Sequence, residues 1–146
     1  MNINFISPVS ITPSIMGKIN NVLLIDDDED CLFLTRHSLQ KLDLFERVDA
    51  LSSAQTALEF LKDNCVGLRT EKCPDVIFVD NQMPGMDGFA FLEKLNSIPG
   101  IQLANFQIYM VSAFTNDVDK ERLKKFNIQG FINKPLSLDK LKVLFN

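Results

Sequence analysis

Asp26, Asp27 and Asp28 open the acidic run DDDED at 26–30, and another aspartate, Asp80, closes the apolar run VIFV at 76–79. Ser112 ends the apolar run QIYMVS, and Lys134 ends GFINK. Taken singly, each has a plain reading. An acidic run suits a helix N-terminus, where the macrodipole favours negative charge. A strand-end aspartate, a serine and a lysine are ordinary turn, loop and surface residues. Together they suggest a site. Two like charges about 4 Å apart repel by roughly 4 kcal/mol at an effective dielectric near 20, so clustered carboxylates require a counter-charge. A hard dication such as Mg2+ provides it, taking oxygen ligands while keeping several waters. Asp26, Asp27 and Asp80 carry −3, and Mg2+ with Lys134 carries +3, so the site is neutral until a phosphoryl group arrives. Carboxylates are the nucleophiles of aspartyl-phosphate chemistry. Phosphoryl transfer itself is mostly positioning plus stabilisation of three equatorial oxygens. Mg2+, Lys134 and the Ser112 hydroxyl are three suitable partners for them.

The elements that would hold these residues follow from the apolar pattern. NVLLI (21–25) and VIFV (76–79) are short, branched and apolar throughout, as strands buried on both faces must be. QIYMVS (107–112) and GFINK (130–134) are two further strands, and RVDAL (47–51) is a weaker one. Between them, Ala54, Ala57, Leu58 and Leu61 fall at i, i+3, i+4 and i+7, the stripe of an amphipathic helix, with Ser52 and Gln55 as a capping box. Leu32, Leu39 and Leu42, then Phe89, Leu92 and Leu95, then Leu138, Leu141 and Leu144 give shorter stripes. A helix over 117–126 has Asn116 as its cap. Five strands alternating with five helices imply a doubly wound α/β fold, because parallel neighbours need crossover connections. Ligands of such sheets sit outside the carboxyl ends of the strands. Asp26, Asp27, Asp80, Ser112 and Lys134 all fall there.

Composition bounds the rest. The chain has 146 residues, 46% hydrophobic and 23% charged, enough for one globular domain with a substantial core. A net charge of −4 and a pI near 4.9 run against direct nucleic-acid binding, which needs a basic face. No apolar run approaches the roughly 18 residues that span a bilayer. Cys31, Cys65 and Cys73 cannot all pair and form no Cys-x-x-Cys, so neither a disulfide framework nor a zinc site is expected, and the domain reads as cytoplasmic. Residues 1–20 read as a flexible leader: they lack a basic start, and Pro8 and Pro13 break their apolar stretch. Met16 is an alternative start. The 13 residues at 63–75 form an unusually long connection, where roughly 2–6 is common, and read as a surface excursion or a helix extension.

NVLLIDDDED, VIFVDNQMPGMDG, MVSA and GFINKP together resemble the response-regulator receiver domain of two-component signalling, as in chemotaxis response regulators. The resemblance covers residues 21–146. It implies a flavodoxin-like, five-stranded parallel sheet of order 2-1-3-4-5 with five helices. It also implies that Asp80 accepts a phosphoryl group and that Asp26, Asp27 and Asp80 hold Mg2+ with the backbone carbonyl of Gln82. Ser112 and Lys134 would contact the phosphoryl group, with Ser112 and Phe131 as the switch pair. By the same resemblance, the donor is a phosphohistidine on a sensor histidine kinase or histidine phosphotransfer protein. The signal would leave through the face of the fourth helix, fifth strand and fifth helix to a downstream protein, with Phe131 turning inward. Lys134-Pro135 would be a cis peptide.

Two positions depart from the usual pattern. The residue two after the acceptor is Gln82, and the switch aromatic is Phe131, which has no hydroxyl. Gln82, and Phe114 two after Ser112, would flank the path of an attacking water and slow self-dephosphorylation. Pro84, Gly85 and Gly88 read as turn punctuation, and His37 as a surface residue. Three other readings use the same residues. A Mg2+-dependent phosphohydrolase with an aspartyl nucleophile would place an acid where Gln82 stands. A flavin-binding relative of the fold would carry a Ser/Thr/Gly-rich loop after NVLLI. A receiver-like interaction module would turn over no phosphate. The chain stops twelve residues after Lys134 with no output domain, so it reads as acting through a partner, as a stand-alone receiver or as a piece of something longer.

Overall fold

The branched apolar runs lie side by side, as strands that need cover on both faces must. The computed structural model describes residues 3–5, 19–113 and 117–145. Among them six strands form one sheet: β1 (Ile3–Phe5), β2 (Ile19–Ile25), β3 (Phe45–Leu51), β4 (Val76–Asp80), β5 (Gln107–Ser112) and β6 (Gly130–Asn133). The spatial order is β1-β6-β5-β4-β2-β3. The stretch β3-β2-β4-β5-β6 is parallel throughout and is the expected five-stranded sheet of order 2-1-3-4-5. Helices α1 (Glu29–Leu42), α2 (Ala54–Cys65), α3 (Gly88–Ser97), α4 (Asp117–Leu123) and α5 (Leu138–Leu144) complete it.

Successive residues of the central strands serve opposite layers, as the period of two requires. Leu23 and Ile25 of β2 pack with Phe89, Leu92 and Leu95 of α3 on one side, together with α2. Val22 and Leu24 pack with Leu39 of α1 and Leu141 and Leu144 of α5 on the other. There Phe78 stacks on Tyr109 at 5.4 Å, and Phe145 meets Phe45 edge-on at 5.2 Å.

Four features differ from the sequence expectations. Within the leader expected to be flexible, Ile3–Phe5 forms a strand antiparallel to β6, with Ile3 opposite Ile132, Asn4 opposite Phe131 and Phe5 opposite Gly130. An edge strand has open N–H and C=O groups, and another strand is the partner that satisfies them. β2 begins at Ile19, two residues early. The cap of α2 is Ser53 rather than Ser52: its Oγ accepts from the Thr56 N–H at 3.1 Å and lies 2.7 Å from the Thr56 hydroxyl. Asn116, expected to cap α4, lies outside the described residues.

The fourth difference concerns the cysteines. Cys65 and Cys73 are joined in a disulfide, Cα atoms 5.2 Å apart, while Cys31 is free. The helix α2 takes up residues 63–65 of the long connection, and the remainder folds back under the sheet. Buried Asn21 holds it there, its side-chain amide donating to the carbonyls of Glu71 and, at 3.0 Å, Cys73. Arg69 adds an ion pair to Asp75 at 2.7 Å. This clip lies at the amino ends of the strands, the end opposite Asp80. His37 is on the exposed side of α1, and Lys134-Pro135 is cis, as expected. No helix among the described residues is long and apolar enough to cross a membrane.

Candidate functional site

The run DDDED divides its labour. Asp28 is the cap of α1, its Oδ1 accepting from the N–H groups of Asp30 at 3.0 Å and Cys31 at 3.2 Å. Glu29 and Asp30 occupy the first turn, where the helix dipole favours them. Asp26 and Asp27 are left to point elsewhere. β2 and β4 are hydrogen-bonded neighbours, Ile25 beside Val79, so Asp26 and Asp80 emerge side by side. One carboxylate oxygen from each of Asp26, Asp27 and Asp80 lies within 4.8 Å of the others. Asp26 is 7% exposed and Asp80 3%, while Asp27 faces solvent.

Lys134, just past β6, reaches over both buried acids. Its Nζ stands 3.0 Å from Asp26 Oδ2 and 3.3 Å from Asp80 Oδ2. The remaining oxygens take backbone donors: the Asp28 N–H gives to Asp26 Oδ1 at 2.9 Å, and the Gln82 N–H to Asp80 Oδ1 at 3.2 Å. Ser112, wholly buried, closes β5, and its carbonyl accepts from the Lys134 N–H at 2.9 Å. That bond ties the serine and lysine elements together.

One ammonium between two buried carboxylates cannot satisfy both equally. Burial, and then the charge of Asp26, push the Asp80 carboxyl up to about 6. Burial also opposes ionisation of Asp26, but the Asp28 N–H, the Cys31 thiol and Lys134 outweigh it and hold its carboxyl below the usual range. Lys134 is affected the opposite way: burial would lower it, and the two carboxylates raise it overall. Cys31, packed beside Asp26, is pushed up to about 11 by burial and that negative neighbour, so it stays a thiol. A local excess of negative charge from three clustered carboxylates is an environment that suits a hard dication.

The turn after Asp80 is fixed by backbone bonds. The Asn81 N–H donates to Val111 O at 2.8 Å, and the Gly88 N–H to Asn81 O at 3.0 Å. Gly88 has no room for a side chain: a Cβ there would lie 2.3 Å from Met110 Sδ and 3.0 Å from the Asn81 Cα. A cleft beside the acids is lined by Asp27, Gln82, Met83, Asp87 and Arg122. Arg122 of α4 lies over the Phe89 ring at 4.0 Å.

The expected residues Asp26, Asp27, Asp80, Lys134 and Ser112 thus meet at one edge of the sheet, with Gln82 on its rim. Phe114 lies outside the described residues. The Phe131 ring lies inside, 1% exposed and edge-on to Phe89 at 6.3 Å. A plain phenyl ring loses no polar hydration when buried there. The sequence reading missed Cys31 and its contact with Asp26. Its signal was available, because Cys31 stands three residues after the cap of α1 and faces back towards the acid pair.

Comparisons with known proteins agree with this geometry. The family model described as "Response regulator receiver domain" matches residues 22–146. The two-component response regulator ARR10 of Arabidopsis thaliana is 31% identical over 121 residues, covering 83% of this chain and 20% of that protein. Hybrid signal transduction histidine kinase E of Dictyostelium discoideum is 31% identical over 136 residues, covering 90% of this chain and 7% of that protein. The chain therefore spans only a small part of these relatives. Among solved structures, a two-component response regulator from Cytophaga hutchinsonii has a TM-score of 0.77 at 23% identity, covering 87% of this chain and 94% of that one. The chemotaxis protein CheY4 of Vibrio cholerae gives 0.68 at 25% identity, covering 86% and 96%. The receiver domain of the histidine kinase CKI1 from Arabidopsis thaliana, complexed with Mg2+, gives 0.70 at 21%, covering 87% and 91%.

Proposed function

Since the chain belongs to the response regulator receiver domain family, we propose that it is a phospho-accepting signalling switch with Asp80 as the acceptor. The observation that carries this reading is Lys134 held between Asp26 and Asp80, at 3.0 and 3.3 Å, beside an exposed third acid. An Asp80 carboxylate oxygen attacks the phosphorus of a phosphohistidine, the P–N bond breaks, and the imidazole leaves. Lys134 and the Ser112 hydroxyl take up charge on the transferred oxygens. The donor is a sensor histidine kinase or a histidine phosphotransfer protein.

The donor set fits Mg2+, being all oxygen and carrying more negative charge than Lys134 offsets. Asp26, Asp27 and Asp80 would hold the ion with the Gln82 carbonyl. Bound there, it would offset the charge of the carboxylates and of the phosphoryl oxygens. The output face is α4, β6 and α5, acting on a downstream protein. Phe131 already lies inside, so in this reading the response begins at Ser112. Gln82 orients water without acting as a base, and Phe114 obstructs it, so the acyl phosphate is slow to hydrolyse.

Incubation with acetyl phosphate and Mg2+ tests the assignment. Intact mass should rise by one phosphate, and Asp80→Asn should abolish the gain. Undiminished stoichiometry in the variant refutes Asp80 as acceptor, and continuous phosphate release at enzymatic rates favours the phosphohydrolase instead.

A further inference from the structure

The two sulfurs of the clip are not equally reachable. Cys73 is 2% exposed, whereas Cys65, the last residue of α2, is half-buried. Both line a surface depression of about 240 Å³. A Cβ built at Gly67 would meet nothing within 4 Å, so among the described residues nothing crowds the approach over that part of the loop. A thiolate attacks the disulfide sulfur it can reach, and here that sulfur is Cys65 Sγ.

Arg69 stands on the rim of the same depression. Its Nη2 donates to Asp75 Oδ1 at 2.7 Å and to Pro74 O at 3.3 Å, which sets the guanidinium beside the residue that follows Cys73. Both bonds leave from one nitrogen, so Nε and Nη1 keep their hydrogens for a further acceptor. A carboxylate is the acceptor that a guanidinium pairs with best. Electrophilic sulfur on the floor and a cation on the rim together suit a thiol that carries its own carboxylate.

We propose that this depression is a thiol-exchange site: a low-molecular-weight thiol bearing a carboxylate docks on Arg69 and is transferred to Cys65. The incoming thiol gives up its proton, and its sulfur bonds to Cys65 Sγ. The Cys65–Cys73 bond breaks, and its electron pair leaves on Cys73 Sγ, which takes up a proton. One disulfide replaces another, so no oxidant is consumed. The Cys73 sulfur lies 3.9 Å from Pro74 O, a carbonyl that can accept from the new thiol. The loop has ties of its own, since Thr70 donates its N–H to Asn64 O at 2.9 Å and its hydroxyl to Asn64 Oδ1 at 2.8 Å. These keep Cys73 near Cys65 after the bond opens, so Cys73 can expel the added thiol and the modification is reversible. The chain thus has a second covalent modification site, at the end of the sheet opposite Asp80 and independent of it.

Thiol exchange on the full chain tests this. Before treatment, alkylation of the denatured protein should find one thiol, Cys31, and three thiols overturn the proposal. Brief anaerobic exposure to glutathione, quenched with acid, should add the mass of one glutathione, and peptide mapping should place it on Cys65. An adduct on Cys73 in place of Cys65, or on neither, overturns the proposal. The role of Arg69 is read against 2-mercaptoethanol, which has no carboxylate. In Arg69→Gln the glutathione rate divided by the mercaptoethanol rate should fall about three- to fivefold, the worth of one exposed ion pair. A loop merely loosened by loss of the Arg69–Asp75 pair would change both rates alike, so an unchanged ratio overturns docking on Arg69. None of these readouts involves phosphorylation, so failure at Asp80 and failure at Cys65 are separately visible.

Discussion

Replacing Asp80 by Asn should make the protein more stable while removing its proposed acceptor. Asp80 is 3% exposed, and burial together with the charge of Asp26 raises its carboxyl from 3.8 to about 6. At about 1.4 kcal/mol per pH unit, holding Asp80 ionised at neutral pH costs the fold about 3 kcal/mol. Asparagine keeps the shape, and its carbonyl can still accept from the Gln82 N–H that now sits 3.2 Å from Asp80 Oδ1. It also leaves Lys134 paired with Asp26 at 3.0 Å, a neutral couple. The variant should therefore gain up to about 3 kcal/mol at pH 7, or roughly 6–12 °C in Tm for a domain of this size.

The pH dependence gives the argument its sign. Asp80 binds its proton more tightly in the native state than in the unfolded one, so wild-type stability falls as pH rises from about 4 to 6. Asparagine does not titrate. The gap between the two proteins should be small below pH 4 and reach its full size above pH 6. Urea unfolding followed by circular dichroism, with a chelator present, measures it. Mg2+ at ten times its Kd should then restore about 1.4 kcal/mol to the wild type and less to the variant, which has lost a carboxylate ligand. A variant no more stable than the wild type at pH 7, or a gap that does not change with pH, refutes the charge-crowding account.

Gly88→Ala should cost about 1–3 kcal/mol, because the added carbon meets Met110 Sδ and the Asn81 backbone, and urea titration reads this directly. Reducing Cys65–Cys73, which closes a loop over a sequence separation of 8, should cost about 2–3 kcal/mol of stability. The clip lies at the other end of the strands, so the yield of phosphorylated protein with acetyl phosphate should stay the same in a Cys65→Ser, Cys73→Ser variant, which leaves Cys31 beside Asp26 unaltered. Phe114→Glu should shorten the lifetime of the phosphorylated protein, as followed by intact mass over time. An unchanged lifetime would remove Phe114 from the hydrolysis argument.

Much of the arrangement was legible because its signals are local or set by topology. A branched apolar run that ends in Asp reads as a buried parallel strand, and a parallel sheet places all such ends on one edge. That step alone brings Asp26 and Asp80 together, since β2 and β4 pair. The charge sum then asks for cations, and Lys134 supplies one positive charge of the three from the end of β6. Even the ambiguity of DDDED resolves without conflict: the helix-terminus reading holds for Asp28, Glu29 and Asp30, and the cluster reading for Asp26 and Asp27.

The features that escaped depend on contacts between segments with no shared period. Three residues are too few to carry an alternation, and what selects Ile3–Phe5 as a strand is the open edge of GFIN at the far end of the sequence. Cys65 and Cys73 meet because α2 ends at Cys65 and the following loop turns back beneath the sheet, where Asn21 grips the carbonyls of Glu71 and Cys73. Composition arithmetic on three cysteines sees none of that geometry. Phe131 occupies the buried position beside Phe89, where a ring without a hydroxyl leaves no polar group to satisfy. A Phe131→Tyr variant would restore the polar tip that a buried site must satisfy. It would thereby convert a ring committed to the core into one with a reason to move.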